Sequence, residues 1–432
     1  MNGAAPDTVV VYGLWHLGCV TAACLASHRR TIGLDLDPGV VRELAAGRPP
    51  LLEPGLDDLI GEGLASGRLT FTTSADEALR DASVVWVTFD TPVDERDEAD
   101  VGFVRSRMEA IAGHLRPGTL VLVSSQVPVG FTRSLARDWA DRGVRVACSP
   151  ENLRLGKALE AFRRPDRVIV GLQDQADRER VARLFAPFCE RVEWMSLESA
   201  EMTKHAINCF LATSVTFINE VARLCERTGA DAREVERGLK SEPRIGPRAY
   251  LGPGPAFAGG TLARDLRFLA GFGDRLGLET PLLDGVLASN DAHKGWLRGK
   301  VAELLRGEDA PRAAVLGLTY KPGTSTLRRS GSLELIDWLR RQGVEVRAHD
   351  PAIQARPPEL AEGASLCRTP GEALQGADVA IVATEWPDYR ALRADDFVDA
   401  MRRARVIDQG WFLEGALAAD PRIRYAAPGR PA

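Results

Sequence analysis

Apolar and polar positions at the start of the chain alternate in a way that predicts a strand, a turn, a helix and a second strand. Residues 8–12 and 31–34 are short runs of apolar and β-branched residues, typical of buried strands. Residues 13–18 hold two glycines, and residues 19–27 follow with a helical pattern. This order predicts a βαβ unit that ends at Asp35.

The same rhythm continues along the chain. It predicts further strands at residues 83–88, 119–123, 144–148 and 167–170. A doubly wound parallel sheet that extends to about Leu197 is the simplest arrangement of these runs. Residues 198–227 then have one long amphipathic helical pattern, and no convincing strand follows before Ala313.

Strands and helices alternate again after residue 307. Strands are predicted at 313–318, 344–348, 379–383 and 405–407, with a helix at 332–342. We therefore predict an α/β protein with two Rossmann-like doubly wound domains, which are joined by a long central helix and a helical middle domain. The two α/β ends are candidates for distant versions of one unit, and the closing residues, which contain Pro and Gly, are expected to be loose. The expected domains are 1–197, 198–306 and 307–432.

Composition is that of an ordinary globular protein. Of the 432 residues 45% are hydrophobic and 27% are charged, which suits two or three domains with cores. Lys plus Arg is 55 against 60 for Asp plus Glu, a formal net charge of -5, so no positive surplus is available for nucleic acid. No apolar run is long enough to span a membrane, and the first residues lack the pattern of a signal peptide. We expect a cytoplasmic protein with neither nucleic acid nor membrane as partner.

Cysteine, histidine and lysine usage narrows the chemistry. The seven cysteines include no Cys-x-x-Cys pair and no Cys/His cluster at metal spacing, so we predict reduced thiols and no metal site. His16, His205 and His293 are interpreted as packing or surface residues. Only six of the 55 basic residues are lysines. Because a buried amine readily loses its proton and a guanidinium does not, each lysine is a candidate for chemistry.

Residues 13–18, the glycine turn, resemble a dinucleotide fingerprint with one glycine missing. Gly13 and Gly18 take the first and third glycine positions, and Trp15 stands where the second would let the backbone approach a pyrophosphate. Asp35 ends the second strand, where a carboxylate binds the ribose hydroxyls of NAD and disfavours NADP. Taken alone, the turn fits a cofactor site and a plain fold element equally well.

Four segments carry a more specific resemblance. They are Ser-Ser-Gln-Val-Pro-Val-Gly at residues 124–130, Ser-Pro-Glu-Asn-Leu-Arg at 149–154, the helix at 201–220, and Leu-Gly-Leu-Thr-Tyr-Lys-Pro-Gly-Thr at 316–324. In order and spacing they resemble the UDP-glucose/GDP-mannose dehydrogenase family, whose NAD-dependent enzymes oxidise the primary alcohol of a nucleotide sugar to a uronic acid. The resemblance runs from about Val9 to Asp408 and implies two Rossmann-like domains joined by a long helix.

The resemblance places catalytic groups on the central helix. Lys204 and Asn208 are four residues apart, so both side chains emerge from one helix face and can address the same oxygen. A lysine near an alcohol can stabilise a developing alkoxide or, when neutral, take its proton. Glu151 follows a predicted strand end, where ligands collect, and would handle a proton or position water.

The resemblance also implies the ligand contacts. The NAD contacts would be Gly13, Trp15, Leu17, Gly18, Asp35, Thr91 and Gln126. The nucleotide-sugar contacts, for a UDP- or GDP-linked sugar, would be Arg244, Tyr250, Phe257, Gly260, Lys321 and Arg328. Arg244 resembles the arginine that reaches the neighbouring subunit's sugar site, so a homodimer with the long helix at its seam is expected. An amphipathic helix can also simply cover its own core.

One departure from the family changes the expected reaction. A family cysteine, followed by Pro-Lys-Asp, captures the aldehyde made by the first oxidation; here Thr261 stands at that position, ahead of Arg264 and Asp265. A threonine hydroxyl is almost un-ionised at neutral pH, so the thioester route to an acid is not available there. Cys148 and Cys209 neighbour active-site positions, but free cysteines in strands and helices are usually core residues.

Three functions remain open. The first is an NAD-dependent oxidoreductase that acts on the CH–OH group of a nucleotide sugar through Lys204, Asn208, Asp265, Glu151 and Thr261. Loss of the cysteine favours a two-electron or transient oxidation, although direct oxidation of a hydrated aldehyde would still give four electrons. The alternatives are a hydroxyacid-type dehydrogenase, which also uses a Lys and an Asn four apart, and a nucleotide-sugar-binding protein without turnover.

Overall fold

The described part of the chain comprises residues 8–93, 99–151, 153, 155–258 and 261–431 of a computed structural model. The chain divides into two compact units, Met1–Ala206 and Ile207–Ala432. Each unit contains one sheet, with eight strands described in the first and six in the second.

The strands of the first unit form a doubly wound sheet. They are β1 (Thr8–Tyr12), β2 (Thr31–Leu34), β3 (Leu69–Thr72), β4 (Ala82–Val87), β5 (Leu120–Val123), β6 (Arg145–Cys148), β7 (Val168–Leu172) and β8 (Val192–Ser196). Their order across the sheet is β3-β2-β1-β4-β5-β6-β7-β8, so the winding direction reverses between β1 and β4. In doubly wound sheets that reversal opens a crevice at the carboxyl ends of the strands, where ligands bind.

Helices connect these strands. They are α1 (His16–Ala26), α2 (Pro38–Ala45), α3 (Leu56–Ala65), α4 (Ala75–Leu79), α5 (Val101–Ala112), α6 (Phe131–Asp138), α7 (Ala158–Arg163) and α8 (Arg178–Phe185). Every residue of α1 is buried, because its many small residues allow the helix to pack closely in the core.

Strand β7 corrects the prediction of a wholly parallel sheet. Ala147 pairs with Leu172, and Cys148 with Gly171, in antiparallel register. The short helix α7 is the only helix between β6 and β7 in the described residues, so the chain returns to the sheet without the crossover that a parallel strand needs. The remaining neighbours in this sheet pair in parallel.

The second unit places helices before its sheet. Helix α9 (Leu197–Thr228) contains the division between the two units and confirms the long central helix. The other helices are α10 (Ala232–Ser241), α11 (Thr261–Leu276), α12 (Pro281–Leu304), α13 (Gly331–Arg341), α14 (Pro370–Leu374), α15 (Ala394–Ala400) and α16 (Glu414–Leu417). Among the described residues no helix has the length and apolar character needed to cross a membrane.

The second sheet repeats the winding of the first. Its strands are β9 (Arg312–Leu316), β10 (Glu345–His349), β11 (Ala364–Leu366), β12 (Val379–Val382), β13 (Arg405–Asp408) and β14 (Arg424–Ala426). The order β11-β10-β9-β12-β13-β14 matches that of the first six strands of the chain, and all neighbours are parallel. This repetition confirms the two Rossmann-like domains.

The closing segment corrects a second expectation. Residues 427–429 are buried rather than loose. The Gly429 N–H donates to Glu226 Oε1 at 2.9 Å, and its carbonyl accepts from Ala232 at 3.0 Å. A Cβ on Gly429 would lie 2.3 Å from the Ala232 Cβ, so the glycine is there to permit close packing rather than chain freedom.

Candidate functional site

The glycine turn of the first unit follows β1 directly. Gly13 has φ +99°, and its N–H donates to Leu34 O at 3.0 Å. A Cβ on Gly18 would lie 1.9 Å from the Gly13 carbonyl oxygen, so this position admits only glycine. The Leu14 N–H donates to Asp35 Oδ2 at 2.8 Å, which fixes the turn against the end of β2.

Trp15 keeps the turn intact despite replacing a glycine. Its φ of -88° and ψ of -157° belong to extended backbone that an ordinary residue adopts without strain. The side chain is 42% exposed, and α1 begins at the next residue, His16. The N-terminus of α1 therefore still offers backbone N–H groups of the kind that bind phosphates at helix N-termini.

The surrounding residues fit NAD. Asp35 is half-buried, and its Oδ1 accepts the Asp37 N–H at 3.0 Å, so the carboxylate is held at the strand end where ribose hydroxyls bind. Thr91 Oγ1 donates to Gln126 O at 2.5 Å, joining the segments after β4 and β5. Leu17 lies in the first turn of α1 and is buried.

Lys204 is buried and held in place. The residue is 8% exposed, and its Nζ donates to the Glu151 carbonyl oxygen at 2.6 Å. The Glu151 carboxylate instead accepts the N–H of Leu153 within its own segment. The structure thus brings together two predicted site residues, Lys204 and Glu151. The lysine amine donates to the main-chain carbonyl of Glu151 and not to its carboxylate.

Sequence reasoning missed two residues that position this helix. Glu201, one turn before the lysine, accepts the N–H groups of Gly130 and Thr132 at 2.6 and 2.8 Å. His205 Nε2 lies 2.9 Å from Val127 O. Their spacing of four along α9 was the only available signal, since it places both on one helix face. Together they fix the start of α9 to the segment after β5.

The second unit brings Asn208 and Asp265 together. Asp265 is fully buried, and the Asn208 Nδ2 donates to its Oδ2. Arg264 Nε lies 4.0 Å from the other carboxylate oxygen. A buried carboxylate with an amide donor and a nearby cation is held in one orientation. Along α9, Asn208 follows the buried lysine by four residues.

The position of the missing cysteine lies at the start of a helix. Thr261 is exposed and is the first residue of α11, while Gly260 lies outside the described residues. Phe257 is held by Asn290, which accepts its N–H and donates to its carbonyl, both at 2.9 Å. Asn290 is therefore a further residue, unnoticed in the sequence, that holds the backbone of Phe257, four residues before Thr261.

The two thiols considered as substitutes, those of Cys148 and Cys209, are unsuited to act as a nucleophile. Cys148 and Cys209 are both buried. Burial raises the pKa of the Cys148 thiol well above its usual value, and the neighbouring Glu201 raises it further. Burial, with a smaller contribution from Asp265, raises the pKa of the Cys209 thiol to about 12. Both therefore remain thiols at neutral pH.

Exposed or partly exposed residues of the second unit include four of the six predicted nucleotide contacts, Arg244, Tyr250, Lys321 and Arg328. Lys321 Nζ lies 5.9 Å from the centre of the Tyr320 ring, and Arg328 is exposed in the same segment after β9. Arg244 is exposed and pairs with Glu242 at 2.8 Å, while Tyr250 is 62% exposed. The structure does not join these last two residues to Asn208 or Asp265 by any described contact.

Known sequences and structures identify this arrangement. Three sequence models of the UDP-glucose/GDP-mannose dehydrogenase family match the chain: the NAD-binding domain at residues 7–189, the central domain at 198–292 and the UDP-binding domain at 314–414. The chain belongs to this family. The expectation of an NAD-dependent oxidoreductase of the nucleotide-sugar dehydrogenase type is thereby confirmed.

Individual members of the family resemble the chain over its whole length. A UDP-glucose 6-dehydrogenase of Pseudomonas aeruginosa is 37% identical, over 98% of this chain and 97% of the relative. One of Rhizobium meliloti is 33% identical, over 98% and 99%. The structure of a UDP-glucose dehydrogenase from Pyrobaculum islandicum has 31% identity and a TM-score of 0.89, covering 100% of this chain and 99% of that one. The roles of individual residues, the domain boundaries and the cytoplasmic location stay predictions.

Proposed function

We propose that this family member oxidises a CH–OH group of a UDP-linked sugar, with UDP-glucose as the first candidate. The observation that supports the proposal is the buried amine of Lys204, held on the Glu151 carbonyl, with Asn208 four residues along the same helix and bound to Asp265. The UDP-binding domain of the family favours a nucleotide sugar over a simple hydroxyacid, the substrate of the alternative dehydrogenase.

Each of these side chains has a separate role in such an oxidation. Bound NAD supplies the hydride acceptor. The Lys204 amine stabilises the developing alkoxide or receives the alcohol proton, and the Asn208 amide orients the same oxygen. Burial of Lys204 keeps competing water away from its amine, which strengthens each of these contacts. Asp265 orients Asn208, and its carboxylate is available to accept a proton or to position water.

We further propose that oxidation stops after two electrons or is transient. Thr261 offers no thiolate at the family's cysteine position, and the raised pKa values of Cys148 and Cys209 leave neither as a substitute. The product would then be an aldehyde or ketone rather than a uronic acid. Native protein at pH 8 should accordingly incorporate no iodoacetamide at these two cysteines, as peptide mass spectrometry will show.

The proposal is tested by NADH formation with a panel of UDP- and GDP-sugars. Lys204→Ala should lower kcat by about a thousandfold, because it removes the group that handles proton and charge. Lys294→Ala is the matched control, since Lys294 is exposed and pairs only locally with Asp291. Equal activity of the Lys204 variant and wild type would contradict the proposed role.

A second candidate is a nucleotide-sugar-binding protein without turnover. Thr261 is the observation that favours it. Wild-type protein that binds UDP-sugars in calorimetry but forms no NADH with any of them would select this function over the first.

We also propose that the protein is a homodimer. Phe210, Phe217 and Leu224 recur every seven residues on α9 and are 73%, 50% and 66% exposed. An apolar stripe of this kind on a long helix is typical of an interface with a second helix. Phe217→Glu should give monomers in sedimentation equilibrium, whereas Leu278→Glu, at an exposed apolar position outside the stripe, should not.

A further inference from the structure

A buried carboxylate in the first unit joins three segments. Glu53 lies between α2 and α3 and is 2% exposed. One oxygen accepts the Gly156 N–H and the other accepts the Ala158 N–H, both at 2.8 Å. The first oxygen also lies 2.8 Å from His16 Nε2. The three partners come from the start of α1 and from the segment that leads into α7.

The chemistry of this cluster favours an ionised acceptor. Burial alone would raise the pKa of the Glu53 carboxyl, but the hydrogen bond from His16 and those from the amides of Ala158 and Gly156 together lower it. A carboxylate can only accept, so we assign a proton to His16 Nε2. A buried anion with three donors is held firmly, because losing any one of them leaves charge unpaired in a region of low dielectric.

The position of the cluster connects two parts of the candidate site. His16 directly follows Trp15 in the glycine turn. Gly156 and Ala158, which Glu53 holds, follow Glu151, whose carbonyl accepts a hydrogen bond from the Lys204 amine at 2.6 Å. A buried amine therefore fixes Glu151, and a buried carboxylate fixes Gly156 and Ala158. The same carboxylate contacts His16 in the glycine turn.

We propose that Glu53 is a positioning residue: by holding Gly156 and Ala158 beside His16, it keeps the preceding Glu151 carbonyl in place as the acceptor of the Lys204 amine. Glu53 itself touches none of the reacting groups. The inference rests on the proposed function only for the role of Lys204, since the contacts all lie within the first unit.

Chemical labelling of lysines tests this proposal without turnover. Native protein is acetylated briefly with a limiting N-hydroxysuccinimide ester, and each of the six lysines is quantified by peptide mass spectrometry. In Glu53→Gln, labelling of Lys204 should rise by about tenfold, as expected when a hydrogen bond to a charged group is lost. Lys157, which lies between the two amides that Glu53 binds, is already exposed and should label at the wild-type rate. Lys321, in the second unit, should label at the wild-type rate.

Variants of His16 form a matched series. His16→Gln keeps an N–H donor toward Glu53 and should leave Lys204 labelling within about twofold of wild type, whereas His16→Leu should raise it by about threefold. This series also keeps the proposal testable if Glu53→Gln does not fold. A folded Glu53→Gln or His16→Leu protein with wild-type labelling at Lys204 would overturn it.

Steady-state kinetics separates positioning from general stabilisation. Loss of positioning should lower kcat in Glu53→Gln by about tenfold and leave the affinity for UDP unchanged, because UDP binds the other domain of the family. Wild-type protein that forms no NADH, combined with the expected labelling changes, would sink the proposed oxidation and leave this inference standing. Wild-type turnover combined with unchanged labelling in the variants would overturn this inference and leave the proposed oxidation standing.

Discussion

The turns after β1 and β9 have the same backbone construction. In each, a glycine with strongly positive φ follows the first strand of the winding, +99° at Gly13 and +102° at Gly317. The Gly13 N–H donates to Leu34 O at 3.0 Å, and the Gly317 N–H donates to His349 O at 2.7 Å. The glycines thus occupy equivalent places beside the neighbouring strand.

An aspartate at the end of that neighbouring strand completes both turns. The Leu14 N–H donates to Asp35 Oδ2 at 2.8 Å, and the Leu318 N–H donates to Asp350 Oδ2 at 2.7 Å. Since the two sheets also share their strand order, the pairing of glycine and aspartate is a property of the fold itself.

The two aspartates nevertheless differ in the oxygen atoms they leave available. Asp350 is 2% exposed, and its Oδ2 also accepts from the backbone and hydroxyl of Thr319 and from the Trp386 indole at 2.9, 3.0 and 3.1 Å. Asp35 is half-buried and accepts only one further described bond, from the Asp37 N–H. The Asp350 carboxylate is therefore buried in structural hydrogen bonds, whereas the Asp35 carboxylate remains accessible to a ligand.

The chain after each turn differs as well. Helix α1 begins at His16, directly after the first turn, and offers backbone N–H groups to a phosphate. After the second turn, residues 320–330 precede α13, and their candidate phosphate ligands are the side chains of Lys321 and Arg328. Ligand chemistry therefore depends on the segment after the turn and not on the turn alone.

The largest effects are expected from Gly18→Ala and Gly317→Ala, which should weaken the binding of different ligands. A Cβ on Gly18 would meet the Gly13 carbonyl at 1.9 Å, so Gly18→Ala should weaken NADH binding by at least about a hundredfold. A Cβ on Gly317 would meet Thr384 at 2.3 Å, so Gly317→Ala should weaken UDP binding and spare NADH binding. Fluorescence titration of NADH and calorimetry with UDP measure the two effects; loss of both ligands in both variants would contradict separate roles.

Replacing the aspartates should distinguish a structural carboxylate from a ligand carboxylate. Asp350→Ala leaves buried donors without an acceptor and should lower the free energy of unfolding by about 3 kcal/mol, measured by urea denaturation. Asp35→Ala removes the acceptor of the Leu14 N–H and should lower the free energy of unfolding by only about 1 kcal/mol, but it should weaken NAD binding by about tenfold and reduce the preference for NAD over NADP. An Asp35 variant with unchanged cofactor preference would show that its accessibility serves no ligand.

The cationic side chains after the second turn should control nucleotide affinity. Lys321→Ala and Arg328→Ala should each raise the Kd of UDP by about fivefold to tenfold, with a weaker salt dependence than wild type. Calorimetry at two ionic strengths measures this, and the exposed Lys294→Ala variant is the control. NADH affinity should stay constant throughout; a matching loss there would mean that the two ligands are not bound separately.

The smallest effect is expected at Trp15. Because its backbone is extended and its side chain exposed, Trp15→Gly should change the Kd of NADH by less than about threefold. A gain or loss much larger than this would show that the indole itself contacts or obstructs the cofactor.

The central parts of both sheets were predictable, and their edges were not. Sequence patterns predicted β1, β2, β4 to β7 and the four inner strands of the second sheet, because these runs are apolar and buried. The unpredicted strands, β3, β8, β11 and β14, are the edges of the two sheets. Edge strands are covered on fewer sides, so they lack the continuous apolar run that identifies an inner strand.

The candidate site divides in a similar way. Lys204 and Asn208 could be predicted, since their spacing of four residues within a helical pattern is visible in the sequence. Glu53 and His16 could not, because their contact joins residues 37 positions apart and depends on how α1, α3 and α7 pack. Tertiary contacts between ordinary residue types leave no periodic signal.

The central claim, that Thr261 limits the oxidation to two electrons, is tested most directly by running the reaction to completion with NAD and UDP-glucose. NADH formed is compared with sugar consumed, and the product is weighed by mass spectrometry, for wild type and Thr261→Cys. We predict one NADH per sugar and an aldehyde or ketone for wild type, and two NADH with a uronic acid once the thiol is present. Two NADH and a uronic acid from the wild-type protein would contradict the account.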